Sequence, residues 1–177
     1  NVNNALAAMA VGRLLHITPD HIKQALANVE LTENRAEWVT GENGEQILSD
    51  VYNSNPTAAK QVLKTVAEMP TEGRRIAVLG DMLELGEASA RLHASLATQI
   101  DPAKIQEVYL VGKQMAALKD RLQEDGYPAA AIHYYQADQL DQLTADLQAT
   151  LTASDLVLLK ASHGIHLEKV LDAIEKK

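Results

Sequence analysis

Four short apolar runs after residue 70 constrain the fold of the chain more than any other feature. They lie at residues 75–79, 107–111, 132–135 and 155–160. Runs of this length are typical of strands that are buried on both faces of a parallel sheet. Helical patterns at 88–100, 114–123, 139–152 and 164–175 separate or follow them and are long enough to be crossovers. This alternation predicts a right-handed, doubly wound α/β sheet.

The part of the chain before residue 56 has a different pattern. Apolar residues recur with a helical period over 1–15 and 22–29, and Thr18 followed by Pro19 is typical of a helix start. Extended segments at 35–40 and 46–52 flank a loop that contains Asn43-Gly44, which predicts an antiparallel hairpin. We therefore expect a Rossmann-like, mostly parallel sheet with one antiparallel edge strand or hairpin, preceded by two helices. A domain boundary is expected between residues 30 and 31.

Composition excludes several classes of protein. The net charge is −8, and the 16 basic residues are scattered, which argues against a nucleic-acid partner. No apolar run approaches the ~20 residues that cross a bilayer, so we expect no membrane association. The chain has no cysteine, which excludes disulfides and fits a cytoplasmic location. It opens in a helical pattern without an initiator Met, so we expect a fragment of a longer protein.

Neither common phosphate-binding loop is present. Gly112-Lys113 lacks the upstream Gly of a P-loop and is followed by Gln114, while the segment at 80–86 has no Lys. No G-x-G-x-x-G sequence follows any predicted strand. If the chain binds a nucleotide, we expect the main phosphate cradle to lie elsewhere.

Polar turns follow the predicted strands, and the carboxyl ends of parallel strands share one edge of a sheet. We therefore expect a cleft lined by residues 50–55, 80–86, 112–113, 136–138 and 160–164. Lys160 and Ser162 at a helix start would suit a carboxylate or a phosphate. Purely structural explanations stay open: an Asx turn at 50–53, a capping carboxylate at 80–86 and an N-cap at Ser162. The histidines lack metal-ligand spacing, so we expect no metal site.

Five segments resemble motifs of the Mur ligases, in the same order. Residues 1–8 (NVNNALAA) resemble the end of H-N-x-x-N-A-x-A-A, and Arg35 occupies the position of a family Arg. Residues 50–56 (DVYNSNP) resemble D-x-Y-x-x-N-P, and 78–86 match VLGDMLELG. Residues 160–164 (KASHG) resemble K-G-S-x-G, with Ala161 in place of Gly and His163 in place of the usual Arg. The D-N-P-R motif of the diaminopimelate-adding members is missing, so the resemblance is to the members that add D-alanyl-D-alanine.

The resemblance implies an ATP-dependent ligase that joins D-alanyl-D-alanine to UDP-N-acetylmuramoyl-tripeptide in peptidoglycan precursor synthesis, and thus a role in cell wall biogenesis, cell shape and cell division. ATP would phosphorylate the tripeptide carboxylate, and the dipeptide amine would displace the phosphate. Residues 31–177 would be the C-terminal domain, which closes over the site, and residues 1–30 the last helices of the central ATPase domain. The P-loop and the Mg²⁺ ligands would belong to that central domain. We therefore expect a monomer with no catalytic residue in this fragment, which should fold without turnover.

The resemblance also assigns binding residues one by one. Those for ATP are Asn1, Asn4, Arg35, Asp50, Tyr52, Asn53 and Asn55. Those for the substrate, and for the dipeptide in particular, are Asp81, Glu84, Lys160 and Ser162, although the first two are equally explained as a turn that caps the next helix. The alternative function is a non-catalytic α/β module that binds an anionic small molecule or a nucleotide in the same cleft.

Overall fold

Two compact units, residues 1–32 and 33–177, make up the protein in a computed structural model that describes residues 2–29 and 36–176. The predicted boundary between residues 30 and 31 lies outside the described residues. The first unit contains helices α1 (Val2–Leu14) and α2 (Pro19–Ala27). Helix α2 starts as predicted, with Pro19 in its first turn and Thr18 Oγ1 accepting from the His21 amide at 3.4 Å.

The second unit is a six-stranded sheet with helices. Its elements in chain order are β1 (Glu37–Thr40), β2 (Gln46–Asp50), α3 (Pro56–Glu68), β3 (Arg75–Gly80), α4 (Ser89–Ala94), β4 (Glu107–Val111), α5 (Ala116–Glu124), β5 (Ile132–Tyr135), α6 (Leu140–Thr150), β6 (Leu156–Lys160) and α7 (Glu168–Ile174). The strand order is β1-β2-β6-β3-β4-β5, with β1 antiparallel to β2 and every other pair parallel. The predicted fold class is confirmed.

Side chains of the central strands alternate between two hydrophobic layers, because successive residues of a strand point to opposite faces. Leu156 and Leu158 of β6 pack with Leu63 of α3 and Leu118 of α5 on one face. Val157 and Leu159 pack with α6 and α7 on the other. The buried residues Glu45, Asp81, Asp155 and Lys160, all charged, lie at or next to strand ends.

Two predicted helices are shorter than their apolar patterns. The pattern at 88–100 forms only α4, with 3₁₀ turns at Gly86–Ala88 and Ser95–Gln99. The hydroxyls of Ser95 and Thr98 donate to carbonyls three residues earlier, at 2.7 and 3.0 Å, which favours the tighter turn. The pattern at 164–175 is helical only from Glu168, because His166 adopts a left-handed conformation with φ of 62°.

Ion pairs connect the amino ends of three strands. Arg74, just before β3, pairs through Nη2 with Asp155 Oδ2 at 2.7 Å and through Nη1 with Glu107 Oε1 at 2.5 Å. Burial acts to raise the pKa of Asp155, but hydrogen bonds from Arg74 and Thr152 outweigh it and hold that pKa below its ordinary value. Ionised Asp155 therefore stabilises the fold. This contribution is complete above the unfolded-state pKa of about 4 and is lost as the pH falls towards the lower folded pKa.

Replacing Asp155 with Asn should lower the free energy of unfolding by about 2 kcal/mol at pH 7, because a buried charge-assisted network is broken. The difference from the unmodified chain should be smaller at pH 3, because below the unfolded-state pKa of about 4 the unfolded chain binds a proton that folded Asp155 resists. Urea unfolding of D155N and of the unmodified chain at pH 7 and pH 3 measures this difference in the free energy of unfolding. D125N is the matched control: it removes one carboxylate from the exposed Arg121–Asp125 pair, 2.9 Å apart, and should cost less than about 0.5 kcal/mol. A D155N deficit that is equal at both pH values would contradict the prediction.

Candidate functional site

The predicted polar turns lie at the carboxyl edge of the parallel strands. In the ladder between β2 and β6, Asp50 and Lys160 are register partners at the last paired position. The turns at 50–55 and 160–164 therefore leave the sheet side by side. The turn at 80–86 follows β3, which pairs with β6 on its other side. Turns 110 residues apart in sequence are brought together because β6 is inserted between β2 and β3.

Lys160 is the most deeply buried charged group at this edge, with a side chain only 1% exposed. Its ammonium lies 2.8 Å from Asp50 Oδ2 and donates to the Asp50 carbonyl at 3.2 Å. It also donates to the Asn53 carbonyl in a short contact. These contacts hold both ends of the turn through which the chain leaves β2.

Within the 50–55 turn, Tyr52, Asn53 and Asn55 are exposed, whereas Val51 and Ser54 are buried. Asn55 caps α3, with Oδ1 accepting from the Ala58 amide at 2.9 Å and Pro56 in the first turn of the helix. Tyr52 is 44% exposed, and Asn53 is exposed as well. The Asp50 side chain keeps 21% exposure beside Lys160. The turn thus presents an aromatic ring, an amide and a carboxylate towards solvent.

Asp81 is buried and accepts backbone hydrogen bonds from the turn after β4. Its Oδ1 accepts from the Met115 amide at 2.9 Å and its Oδ2 from the Gln114 amide at 3.2 Å. Gly112 allows this approach, because a Cβ at this residue, with φ of 107°, would lie 2.5 Å from Asp81 Cγ. Both oxygens of this predicted substrate-binding carboxylate therefore brace the turn after β4. Glu84, the other predicted carboxylate of this segment, is exposed and has a φ of 64°.

Ser162 joins the turns after β3 and β6. Its Oγ accepts from the Leu83 amide at 3.0 Å, and its own amide donates to the Asp81 carbonyl at 3.1 Å. Ser162 does begin a 3₁₀ turn, but its side chain makes no capping bond there. The hydroxyl proton of Ser162 is not used by the bond from Leu83, so the group keeps a donor.

His93 supports the same edge, although local sequence patterns offered little sign of this role. The side chain of His93 is fully buried, with Nε2 accepting from the Met82 amide at 2.9 Å and Nδ1 lying 2.8 Å from the Ser89 carbonyl. Since a carbonyl only accepts, Nδ1 carries the proton and Nε2 does not. His93 thus fixes the loop after Asp81. The Ser89 to His93 spacing of four residues in a helix was the only available signal.

An aromatic pair connects the 50–55 and 160–164 turns at the surface. The ring of Tyr52 lies 6.2 Å from that of His163, with an interplanar angle of 32°. His163 is 67% exposed, and its ring also lies 5.8 Å from that of His166. His166 Nδ1 is 2.9 Å from Glu168 Oε1, so these side chains form one continuous polar surface.

Three of the predicted nucleotide-binding residues are not among the described residues of the second unit. Asn1 and Arg35 are outside the described residues. Asn4 is an exposed residue of α1, in the first unit. Within residues 2–29 and 36–176, no group of three or more His, Cys, Asp or Glu side chains is placed to hold a metal ion. In the same residues, no helix is long and apolar enough to cross a membrane.

Comparisons with known proteins agree on one family. Residues 34–163 match the sequence profile of the family described as Mur ligase, glutamate ligase domain. The chain is 32% identical to the UDP-N-acetylmuramoyl-tripeptide--D-alanyl-D-alanine ligase of Bacillus subtilis (strain 168), over 99% of this chain and 38% of that protein. It therefore spans just over a third of the length of this relative.

Solved structures give the same picture. The chain matches a MurF ligase from Thermotoga maritima in complex with ADP at 26% identity and a TM-score of 0.70, over 93% of this chain and 35% of that one. A MurF from Acinetobacter baumannii matches with a TM-score of 0.77 at 23% identity, over 96% of this chain and 36% of that one, and supports the fold alone.

Replacing Asp81 with Asn should reduce the free energy of unfolding by about 1–3 kcal/mol. The Asn NH₂ would take the place of one carboxylate oxygen, so one of the two backbone amides that Asp81 accepts from would lose its acceptor. The matched substitution E84Q, in the same loop but exposed, should change the free energy of unfolding by less than about 0.5 kcal/mol. Thermal or urea unfolding of the two variants measures the contrast. Equal stability of D81N and the unmodified chain would show that Asp81 does not brace the edge.

Proposed function

Because the chain belongs to the Mur ligase family, in its glutamate ligase domain group, we propose that it is the closing domain of an ATP-dependent amide ligase. The proposed reaction joins D-alanyl-D-alanine to UDP-N-acetylmuramoyl-tripeptide, as the name of the Bacillus relative states for that protein. The observation that carries the proposal is that three polar turns, at 50–55, 80–86 and 160–164, lie on one edge of the sheet, where Lys160 and Ser162 of the third turn bond to the other two. An acyl phosphate hydrolyses in water, so a domain with a preformed polar edge suits closure over such an intermediate.

The nucleotide side of this edge is proposed to be the 50–55 turn. Tyr52 offers a partly exposed ring, and Asp50 keeps an accessible carboxylate that can accept from a ribose hydroxyl. The ammonium of Lys160 neutralises Asp50, which reduces its repulsion of phosphate groups. Asn53 and Asn55 extend the same polar turn. The roles of Asn1, Asn4 and Arg35 in ATP binding remain predictions from the family resemblance.

The dipeptide side is proposed to be Ser162 and Glu84. Ser162 keeps a hydroxyl proton for a carboxylate, and the exposed Glu84 suits the ammonium of the dipeptide. Asp81 and Lys160 were assigned to the same substrate, but their polar atoms are already bonded within the chain. Their geometry favours a supporting role. No group of three or more metal-ligating side chains is formed by the described residues, and Mg²⁺ is proposed to be bound mainly by the central domain.

The first unit is proposed to be the last two helices of a central ATPase domain. Helix α1 buries only Gly12, while its larger apolar side chains are exposed, Leu6 by 56% for example. An apolar helix surface of this kind is unusual in a protein that is complete in itself. It is the surface expected of helices that pack against further protein. The two predicted helices are present. The protein that covers the apolar surface of α1 is proposed to be the rest of the central ATPase domain.

Phosphate release by the longer protein that contains this chain tests the function. We expect release only when ATP, UDP-N-acetylmuramoyl-tripeptide and D-alanyl-D-alanine are all present, because the acyl phosphate is sequestered until the dipeptide amine attacks it. D-alanine alone is the matched control, since it offers the same amine without the second residue. Binding of ATP without any phosphate release would favour the alternative, a non-catalytic α/β module that binds an anionic small molecule or a nucleotide.

Amide chemical-shift mapping of the 177-residue chain tests the two halves of the site. ADP should shift amides of residues 52–55, and D-alanyl-D-alanine should shift those of 83–84 and 162–164, because these segments contain or adjoin the exposed side chains of Tyr52, Glu84 and His163. Residues 74 and 155, at the opposite edge of the sheet, serve as an internal control and should not move. Dipeptide shifts confined to residues 52–55 would reverse the assignment.

A further inference from the structure

Lys160 combines deep burial with a position at the centre of the proposed cleft. Its Cα is paired with that of Asp50 at the end of the β2–β6 ladder, and its side chain is almost wholly buried. A buried ammonium is costly unless it is paired and its protons are bonded. The acceptors around Lys160 therefore decide what it can do.

All three protons of the ammonium have acceptors within the chain. A lysine ammonium has three N–H donors and no acceptor. Around Lys160 the acceptors are Asp50 Oδ2 at 2.8 Å, the Asp50 carbonyl at 3.2 Å and the Asn53 carbonyl. A ligand carboxylate could bind Lys160 only by displacing one of them. Direct capture of the dipeptide by Lys160 is thus disfavoured.

The same three contacts determine the path of the turn between β2 and α3. The two carbonyls bonded by Lys160 belong to residues before and after Tyr52, so Lys160 holds the backbone on both sides of that residue. On the far side, the Asn55 cap fixes the start of α3. Without the ammonium, the Asp50 and Asn53 carbonyls would lose the hydrogen bonds that Lys160 donates. The turn would then be held only at its far end, by the Asn55 cap.

We propose that Lys160 is a positioning residue for the nucleotide side of the cleft, holding the 50–55 turn and contacting neither substrate. This inference rests on the proposed ligase function. It assigns the effect of Lys160 to ATP rather than to the dipeptide, although the residue belongs to the 160–164 turn that carries Ser162. A positioning role of this kind predicts a separation between the KM values of the two substrates.

The test is K160M in the longer protein, with KM measured separately for ATP and for D-alanyl-D-alanine. We expect the KM for ATP to rise about tenfold or more and that for the dipeptide to stay within about twofold. K160Q, which keeps two donors without the charge, should fall between K160M and the unmodified protein; it also serves if K160M does not fold. K113M is the matched control, because it removes an exposed positive charge at the same edge without touching the turn.

Two kinetic outcomes would overturn the proposal. A rise confined to the KM for the dipeptide would place Lys160 in contact with that substrate. Equal rises of the KM values for both substrates would indicate a general loss of structure. A rise in the KM for ATP that is as large in K113M as in K160M would indicate an effect of lost charge alone.

A ligand-free measurement separates this inference from the ligase function. In the 177-residue chain, K160M should shift the amides of residues 52–54 while those of β4 and β5 stay in place. If the longer protein proves to have no ligase activity, the proposed function fails, but this shift would still support the positioning of the turn. Unchanged amides at 52–54 would overturn the positioning role whatever the activity.

Discussion

A parallel sheet with helices on both faces buries the middle of its strands in two apolar layers, so its buried charges lie near the strand ends, and this constraint governs the rest of the structure. Strand β6 lies between β2 and β3 and is buried along its whole length. Its first neighbour in sequence is Asp155, and its last residue is Lys160. Both are buried charges, and each is stabilised by partners from neighbouring strands. An ionic contact therefore lies at each end of β6, through Asp155 at its amino end and Lys160 at its carboxyl end.

The two edges use their charges differently. At the amino edge, Arg74 bonds to Asp155 and Glu107, so side chains join the starts of three strands. At the carboxyl edge, Lys160, Asp81 and Ser162 bond mainly to backbone groups of loops. Backbone contacts fix the path of a loop rather than one side-chain pair. The carboxyl edge thus has firmly held turns whose outer side chains, such as Tyr52 and Glu84, remain accessible, and this suits the closing domain proposed above.

Much of the fold could be predicted, because helices, strands and turns depend on hydrophobic periodicity and on turn residues that are close together in the sequence. The strand at 132–135 has the predicted bounds, the hairpin at 37–50 follows its Asn-Gly signal, and α3 starts at the predicted proline. Errors occurred where a contact changed a local pattern. Hydroxyl bonds from Ser95 and Thr98 turned the end of a predicted helix into a 3₁₀ turn, and the left-handed His166 delayed the start of α7. The role of His93 was also missed, because its partner Met82 is outside its own helix.

The sequence by itself determined the order of strands and helices, the family and the turns that carry polar residues, because periodicity and motifs depend on neighbours along the chain. Only the tertiary structure decided which partners each polar residue has within the chain. Lys160 and Asp81 were predicted as ligand-binding groups, yet their polar atoms bond to residues 53 and 114. Those partners are 107 and 33 residues away and meet them only because the sheet places β6 beside β2 and β3 beside β4. Spacing along a chain cannot reveal whether a charge is already satisfied by a partner that folding brings to it.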